Sequence, residues 1–334
     1  MSEADNVMRW QRQPGHYEVW YMTLNHRESE TGFWIRYTLE APYHGAAYAQ
    51  LWFACFDARE TARAFAINRK FPIAELAHTA EPFELKIGDA VLRHGAAKGS
   101  LSGAGHTAQW DLAWAPPQDT HYDLPRWIYG AGFADTKKLT PALNAAFRGR
   151  IVVDGRTLEL AAEPGGQTHL WGRKHAHAWA WSHCNGFEGH PNVALETLTV
   201  RLRRRGVVLP PLSLLSLYLE GETHHFRELH ETPLVRGKWD TGSYRVVARS
   251  LNLKIEVEYR CKPDEMVLTP YVDPDGDPAF CANTEIADCW LTVSRRHGLA
   301  YVPQMELAAH KTAHFEYASR EPDPAIMRRH ATVE

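Results

Sequence analysis

The chain has 334 residues, of which 44% are hydrophobic and 23% are charged, and its net charge is −3 at pH 7. This ordinary globular composition argues against disorder, and the length suggests two domains. The near-neutral charge argues against a protein that binds nucleic acid or an anionic membrane surface.

The first segment and the apolar runs predict the compartment. The N-terminal residues MSEADNVMRW include acidic side chains and lack the apolar run of a signal peptide. The longest apolar run, residues 207–219, is too short to span a bilayer and is interrupted by Pro210 and Pro211. The five cysteines form no Cys-x-x-Cys pair. We therefore expect a cytoplasmic protein with reduced thiols and no integral membrane segment.

Alternation of apolar and polar residues dominates the first half of the chain. Residues 17–24, 32–40 and 48–57 are rich in aromatic and β-branched side chains, and each predicts a strand. Shorter strands at hairpin spacing follow as far as residue 114. Only residues 135–146 have a helical pattern, with Thr140-Pro141 as N-cap and first-turn proline.

A second series of strands begins after this segment. Residues 147–162 predict a hairpin, because Asp154-Gly155 suits a tight turn between two alternating runs. Further short strands follow as far as Tyr317, a pattern that favours barrels or sandwiches. We predict an all-β fold with one or two short helices. The predicted domains are residues 1–145 and 146–334.

The segment from residue 167 to residue 185 divides by alternation into two different faces. Even positions are mostly small. Odd positions carry large aromatic or hydrogen-bonding side chains: Gln167, His169, Trp171, Arg173, His175, His177, Trp179, Trp181, His183 and Asn185. The two sets point to opposite sides of a strand. Because the segment is longer than a normal strand, we expect a break near residues 172–176.

Three interpretations of the large face compete. It could be a polar core in which each histidine bonds a backbone carbonyl. It could also line a ligand cavity, with tryptophan walls and a few orienting polar groups. A metal site built from His169, His175, His177 and His183 is the weakest of the three, because no carboxylate is interleaved and no His-Glu-x-x-His motif is present.

A second cluster lies near the C-terminus and contains Asn283, Glu285, His314 and Glu316. His314 and Glu316 would share a strand face, where a carboxylate can orient an imidazole or raise its basicity; an exposed pair is the competing interpretation. In the first half, Trp34 and Arg36 also share a face, as a ligand clamp, a cation–π pair or exposed side chains.

Two motifs in these segments resemble a known superfamily. Residues 167–173 read Gln-x-His-x-Trp-Gly-Arg, and residues 179–187 read Trp-x-Trp-x-His-x-Asn-x-Phe. Together they resemble the tandem lipocalin-like (calycin) superfamily of tocopherol cyclase, carotenoid 1,2-hydratase (hydroxyneurosporene synthase) and AttH-like proteins. Residues 32–37, 283–285 and 314–317 fit the same resemblance.

The resemblance implies a fold and a range of reactions. It implies two lipocalin-like β-barrel domains packed together, with a hydrophobic ligand in or between them. Enzymes of this superfamily add a proton or water to a prenyl double bond, close a ring or steer a cycloaddition, usually without a cofactor.

We therefore predict a cofactor-free isomerase, cyclase or hydratase for a terpenoid or polyketide-like molecule. The alternatives are a non-catalytic carrier or sensor of a lipid-like ligand and, less favoured, a histidine-ligated metal enzyme. The partner would be a hydrophobic small molecule, and a homo-oligomer is compatible with the sequence. The candidate proton donors are His183, Glu316, His177 and Glu285. The candidate ligand-binding residues are Trp34, Arg36, His169, Trp171, Arg173, Trp179, Trp181, Asn185, Asn283 and His314.

Overall fold

The computed structural model describes residues 2–116, 119–130, 134–228, 230–327 and 332–333. Nearly all of its regular structure is extended, and the two short α-helices are α1 (Ser2–Asn6) and α2 (Arg126–Gly130). No helix in these ranges is long and apolar enough to cross a membrane. The predicted all-β class with one or two short helices is confirmed.

The strands fall into two series along the chain. The first series is β1 (His16–His26), β2 (Thr31–Ala41), β3 (Tyr48–Asp57), β4 (Phe65–Pro72), β5 (Leu76–Ala80), β6 (Phe83–Ile87), β7 (Ala90–Arg93), β8 (Ala96–Gly103), β9 (His106–Ala113), β10 (His121–Tyr122), β11 (Thr136–Val153) and β12 (Arg156–Gly172). The second series is β13 (Ala178–Cys184), β14 (Val193–Arg201), β15 (Arg203–Arg204), β16 (Val207–Val208), β17 (Leu212–Leu219), β18 (Glu222–Phe226), β19 (Val235–Asp240), β20 (Ser243–Arg249), β21 (Leu253–Arg260), β22 (Val267–Val272), β23 (Pro278–His297), β24 (Ala300–Ser319) and β25 (Thr332–Val333).

The first series, together with the last strand β25, forms a large, nearly closed, barrel-like sheet. Its strand order is β25-β4-β3-β2-β1-β12-β11-β9-β8-β7-β6-β5, with β10 paired to β11. β25 joins it in parallel with β4, and the other neighbours are antiparallel. Apolar side chains such as Trp20, Phe33, Phe53, Trp110 and Phe147 fill its interior.

The second series forms a sheet in the order β18-β17-β14-β13-β24-β23-β21-β20-β19, with β22 on β23, while β15 and β16 form a separate hairpin. Its interior is filled by another apolar cluster, which includes Tyr244, Tyr259 and Phe315. The chain passes from the first sheet to the second between Gly172 and Ala178. The domain boundary between residues 145 and 146 stays a prediction.

A third apolar cluster joins the two sheets. Strand β1 is buried along its whole length, with Trp20 and Met22 in the core of the first sheet and Tyr17, Val19 and Tyr21 in the joining cluster. The second sheet supplies Trp179, Trp181 and Tyr271, among other residues, to the same cluster. Successive residues of a strand face opposite sides, so β1 contributes to both cores at once.

The predicted helix at residues 135–146 is wrong, because Thr136–Val153 is strand β11. This strand pairs with β12, with register shifts between Leu139 and Ala142 and between Ala142 and Ala145. Pro141, which has no N–H to donate, lies within the first shift. Pairing across the sheet outweighs the weak local helix preference, and the bulges accommodate the proline. The predicted hairpin at 147–162 is confirmed: Asp154 and Gly155 both have positive φ, 49° and 80°, as a tight primed turn requires.

Candidate functional site

A cavity of about 750 Å³ lies between the two sheets. The first sheet lines it with Val19, Tyr21, Trp34, Arg36 and Leu170, and the second with Trp179, Trp181, Leu198, Val200, Leu214, Tyr271 and Glu316. This volume is typical of sites for small organic ligands. The interiors of both sheets are filled by their own side chains. The cavity therefore lies in the contact region between the two sheets, which we call the seam.

Strand β13 builds one wall of the cavity with two indole rings. Alternation along β13 places Trp179 and Trp181 on the cavity side, opposite Val200 and Leu198 of β14. Each indole N–H donates to a carboxylate: Trp179 Nε1 to Glu316 Oε1 at 2.8 Å, and Trp181 Nε1 to Glu196 Oε1 at 2.7 Å. The polar edges are thereby satisfied, and the indole rings line the cavity.

Glu316 is a carboxyl group in an apolar wall. It lies on β24, in register with Trp181 of β13. Burial raises the pKa of Glu316 above its usual value, although the bond from Trp179 and the charges of Arg36 and Lys138 reduce the effect. A carboxyl group kept toward its protonated form in a cleft is suited to donate a proton.

Arg36 lies in the opposite wall, on β2, and is only 5% exposed. Its Nε donates to Thr38 Oγ1 at 2.9 Å. The guanidinium carbon lies 4.3 Å from the ring centroid of Tyr271 and 5.7 Å from that of Trp34. Both contacts are cation–π interactions, and the one with Tyr271 joins the two sheets beside the cavity.

His175 precedes β13 and is stacked among aromatic rings. Its centroid lies 4.3 Å from that of Tyr17, 5.4 Å from that of Trp179 and 5.7 Å from that of Tyr271. Its Nδ1 lies 2.6 Å from Asp273 Oδ1, so the carboxylate accepts from Nδ1 and leaves Nε2 as the basic nitrogen. Burial lowers the pKa of His175 despite the opposing effect of Asp273.

A buried charged cluster closes another part of the wall. The Lys138 ammonium donates to Asp123 Oδ2 at 3.1 Å, to Thr140 Oγ1 at 3.2 Å and to Glu196. Burial alone would lower the pKa of Lys138, but Asp123 and Glu196 raise it. His121, Asp123 and Glu196 are grouped closely enough to share a metal ion, yet the ammonium already compensates the two carboxylates.

Six of the residues proposed from sequence line the cavity: Trp34, Arg36, His177, Trp179, Trp181 and Glu316. His177 lies beside Arg203 and Arg320 in this lining, and burial together with Arg203 lowers its pKa. Arg173 is exposed and forms an ion pair with Asp135 at 3.2 Å.

His169 and Trp171 are directed away from the cavity. His169 Nε2 lies 2.9 Å from Glu18 Oε1, and its ring stacks on Trp20 and neighbours Trp171. On β12 the neighbouring position, Leu170, lines the cavity instead. The chain crosses between the sheets at residues 173–177, close to the expected break. Before the crossing the even-numbered position 170 faces the cavity, and after it the odd-numbered positions 179 and 181 do.

Three further candidates, His183, His314 and Asn185, form buried hydrogen bonds between the sheets. His183 Nε2 donates to the backbone oxygen of Leu143 at 2.7 Å, and its Nδ1 lies 2.9 Å from Nδ1 of His314. Nε2 of His314 in turn lies 2.9 Å from Asn25 Oδ1. Asn185 Nδ2 donates to the backbone oxygen of Gly165 at 3.0 Å. None of these residues lines the cavity.

Two acidic or amide candidates are buried near Glu316 without lining the cavity. Burial raises the pKa of Glu285 well above its usual value, and its Oε2 lies 3.7 Å from His314 Nε2. Asn283 is in register with Glu316, and within the described ranges both polar atoms of its amide lack hydrogen-bond partners.

His175, Lys138 and Tyr271 are among the cavity residues that were not identified as ligand-binding from the sequence. His175 belonged to the large alternating face but entered only the metal interpretation. Lys138 fell inside the predicted helix. Tyr271 precedes the Asp-rich turn at 273–277. Asp273 of this turn is buried and bonds His175 and Arg320, so this turn was the sequence feature that could have pointed to Tyr271.

Comparison with known proteins agrees with this architecture. Residues 142–317 match the tocopherol cyclase-like family. The uncharacterized protein Rv0493c of Mycobacterium tuberculosis strain H37Rv is 27% identical over 294 residues, which cover 86% of this chain and 84% of that protein.

Two crystal structures share the fold. An AttH-like protein from Nitrosomonas europaea superposes with a TM-score of 0.54 and 12% identity, over 91% of this chain and 92% of its own. Kievitone hydratase from Nectria haematococca superposes with a TM-score of 0.53 and 8% identity, over 94% of this chain and 93% of its own. Since the family match covers more than half of the sequence, the chain belongs to the tocopherol cyclase-like family.

Proposed function

We propose that this protein is a cofactor-free cyclase, isomerase or hydratase that protonates an unsaturated apolar molecule bound between the two sheets. The observation that carries the proposal is the Glu316 carboxyl group, which lines the cavity beside Trp179 and has a raised pKa. His183 and Glu285 do not line the cavity, so neither is assigned the proton transfer.

The proposed reaction begins with proton transfer from Glu316 to one carbon of a double bond. The π electrons form the new C–H bond and leave a cation on the adjacent carbon. The faces of Trp34, Trp179 and Trp181 stabilise this charge by cation–π interaction. The apolar wall also excludes water from the cation until the substrate is correctly folded.

The second step neutralises the cation. A hydroxyl group of the same molecule closes a ring, or a water molecule adds to the cationic carbon. The proton that this oxygen releases returns to the Glu316 carboxylate, directly or through His175 Nε2. Cyclisation then leaves the substrate formula unchanged and hydration adds one water, without any electron donor.

The main alternative is a carrier built on the same cavity. A carrier needs the apolar lining but gains nothing from a carboxyl group with a perturbed pKa inside it. Glu316 therefore favours catalysis over transport.

Deuterium incorporation tests the proposal. The purified protein is incubated in D2O with prenylated phenols, terpenoid alcohols and polyene polyketides, and products are analysed for carbon-bound deuterium and for added water. We expect one deuterium per turnover with a member of this panel. Glu316→Gln should lower the rate by about 10²–10⁴-fold, because general acid catalysis is removed.

The matched control is Glu306→Gln, an exposed glutamate on the same strand, which should leave the rate unchanged. Binding is followed in parallel by quenching of tryptophan fluorescence. Panel members that bind tightly but never acquire deuterium would support the carrier. Undiminished turnover in Glu316→Gln would remove Glu316 as the acid.

A further inference from the structure

We propose that Arg36 makes the cavity selective for apolar molecules that carry one carboxylate, which it binds through its guanidinium group. This inference rests on the proposed function, because it assigns a substrate class to the same cavity. It concerns binding and not the proton transfer at Glu316.

The guanidinium of Arg36 is buried but only partly bonded. Its Nε donates to Thr38 Oγ1 at 2.9 Å, and the Tyr271 side chain is a second hydrogen-bonding neighbour of the guanidinium. Within residues 2–116, 119–130, 134–228 and 230–327, no carboxylate forms an ion pair with Arg36. The contacts with the ring faces of Tyr271 and Trp34 do not occupy the in-plane N–H donors, so the guanidinium keeps donors without a carboxylate acceptor among the described residues. An unpaired buried charge is costly, and a bound anion would remove that cost.

The acidic groups around Arg36 do not supply this anion. Burial raises the pKa of Glu40, on the same strand, to about 8, so Glu40 is mainly neutral at pH 7. Burial also raises the pKa of Glu316 across the cavity. Asp273 is ionised but is bonded to His175 at 2.6 Å and to Arg320 at 2.7 Å.

The two buried cations of the cavity wall, Arg36 and Lys138, favour a ligand with a single negative charge. The other cation of this wall, Lys138, has its three donors occupied by Asp123, Thr140 and Glu196. Among the described residues of the lining, Arg36 is therefore a buried cation with unused donors, and its planar fork matches the two oxygens of a carboxylate. A phosphate monoester would bring about −1.5 to −2 charges and leave one of them uncompensated.

The experiment compares two probes that differ only in charge, retinoic acid and methyl retinoate. Both are titrated into the full-length protein, and binding is measured by quenching of its tryptophan fluorescence. We expect the wild-type protein to bind the acid about ten- to hundredfold more tightly than the ester. Arg36→Met should abolish this preference while changing the affinity for the ester less than about threefold.

Two further variants complete the design. Arg36→Lys keeps the charge but loses the fork and should retain part of the preference. Arg245→Met removes an exposed arginine of the second sheet that pairs with Glu256, and it should behave as wild type. Circular dichroism of each variant shows whether it is folded.

Each outcome separates this inference from the proposed function. Equal affinity of the wild-type protein for acid and ester overturns the role of Arg36 and leaves the cavity and Glu316 in place, even if Arg36→Met does not fold. A preference that survives in Arg36→Met also overturns it and places the carboxylate at Arg203, Arg204 or Lys174 of the lining. If neither probe binds, this inference is overturned, whereas the proposed function is decided separately by the deuterium experiment.

Discussion

Three glutamates near the contact between the sheets, Glu40, Glu285 and Glu316, have pKa values raised mainly by burial. Each is therefore held toward its neutral form. The guanidinium of Arg36 lies at the same contact, 4.3 Å from the ring centroid of Tyr271. The contact between the sheets therefore contains protonated carboxyl groups and a guanidinium. Within the described ranges, no carboxylate forms an ion pair with this guanidinium.

Glu40 should make the stability of the protein fall as pH rises. Its pKa is about 8 in the folded chain and near 4.5 when unfolded, so the unfolded state releases a proton that the folded state keeps. Stability is therefore complete below pH 4.5, decreases between 4.5 and 8, and is constant above 8. Relative to Glu40→Gln, which cannot ionise, the wild-type protein should lose on the order of 5 kcal/mol across this range.

Urea unfolding of both proteins at several pH values from about 5 to about 9 measures this difference. Parallel stability curves for the two proteins would show that Glu40 is ionised in the folded state. Such a result would also supply Arg36 with a counter-charge and weaken the case for a carboxylate ligand.

Glu316 should impose an acid-active pH profile on turnover. Because the donor must be protonated, kcat/KM for the free enzyme should fall as pH rises through the raised pKa of Glu316. Glu316→Asp should keep a falling profile at a lower rate, since the acid is retained at a changed distance. A rate that increases with pH over the same range would instead indicate that a general base limits the reaction.

At the scale of elements, strand β13 shows what local pattern can predict. The alternation of residues 179–183 identified Trp179 and Trp181 as one face, and both line the cavity. The same alternation failed to place His169, because the crossing between sheets changes which parity faces the seam. Lys138 was missed because its pairing with Leu170, at the far end of the long β11–β12 hairpin, decides its conformation, and not local propensity.

The contact between β2 and β23 should be sensitive to one added methyl group. A Cβ on Gly32 would lie 2.5 Å from Glu285 Cβ and 2.6 Å from the backbone oxygen of Glu285. Gly32→Ala should therefore destabilise the protein by about 1–3 kcal/mol through overpacking between the sheets. Urea unfolding measures the change.

Gly130→Ala, at the end of α2, is the matched control. A Cβ there meets no atom of the described chain within 4 Å, so stability should be nearly unchanged. Equal stability of both variants would mean that the two sheets can separate locally without cost.

At the scale of the whole molecule, the two sheets form the two sides of one cavity. Each has its own filled interior, and the third apolar cluster holds them together around the cavity. The sequence predicted the all-β class from its alternation. The sequence left open whether a ligand would bind inside a barrel or between the two sheets. That position depends on how the sheets pack against each other and not on any single strand.

Photoaffinity labelling tests the position of the ligand most directly. A diazirine-bearing analogue of palmitic acid is irradiated with the full-length protein, and labelled residues are identified by mass spectrometry, with excess retinoic acid as competitor. We expect competed labels between the sheets, on residues 134–138, 174–181 or 271. Competed labels on the interior clusters that contain Phe53 or Tyr259, with none at the seam, would contradict it.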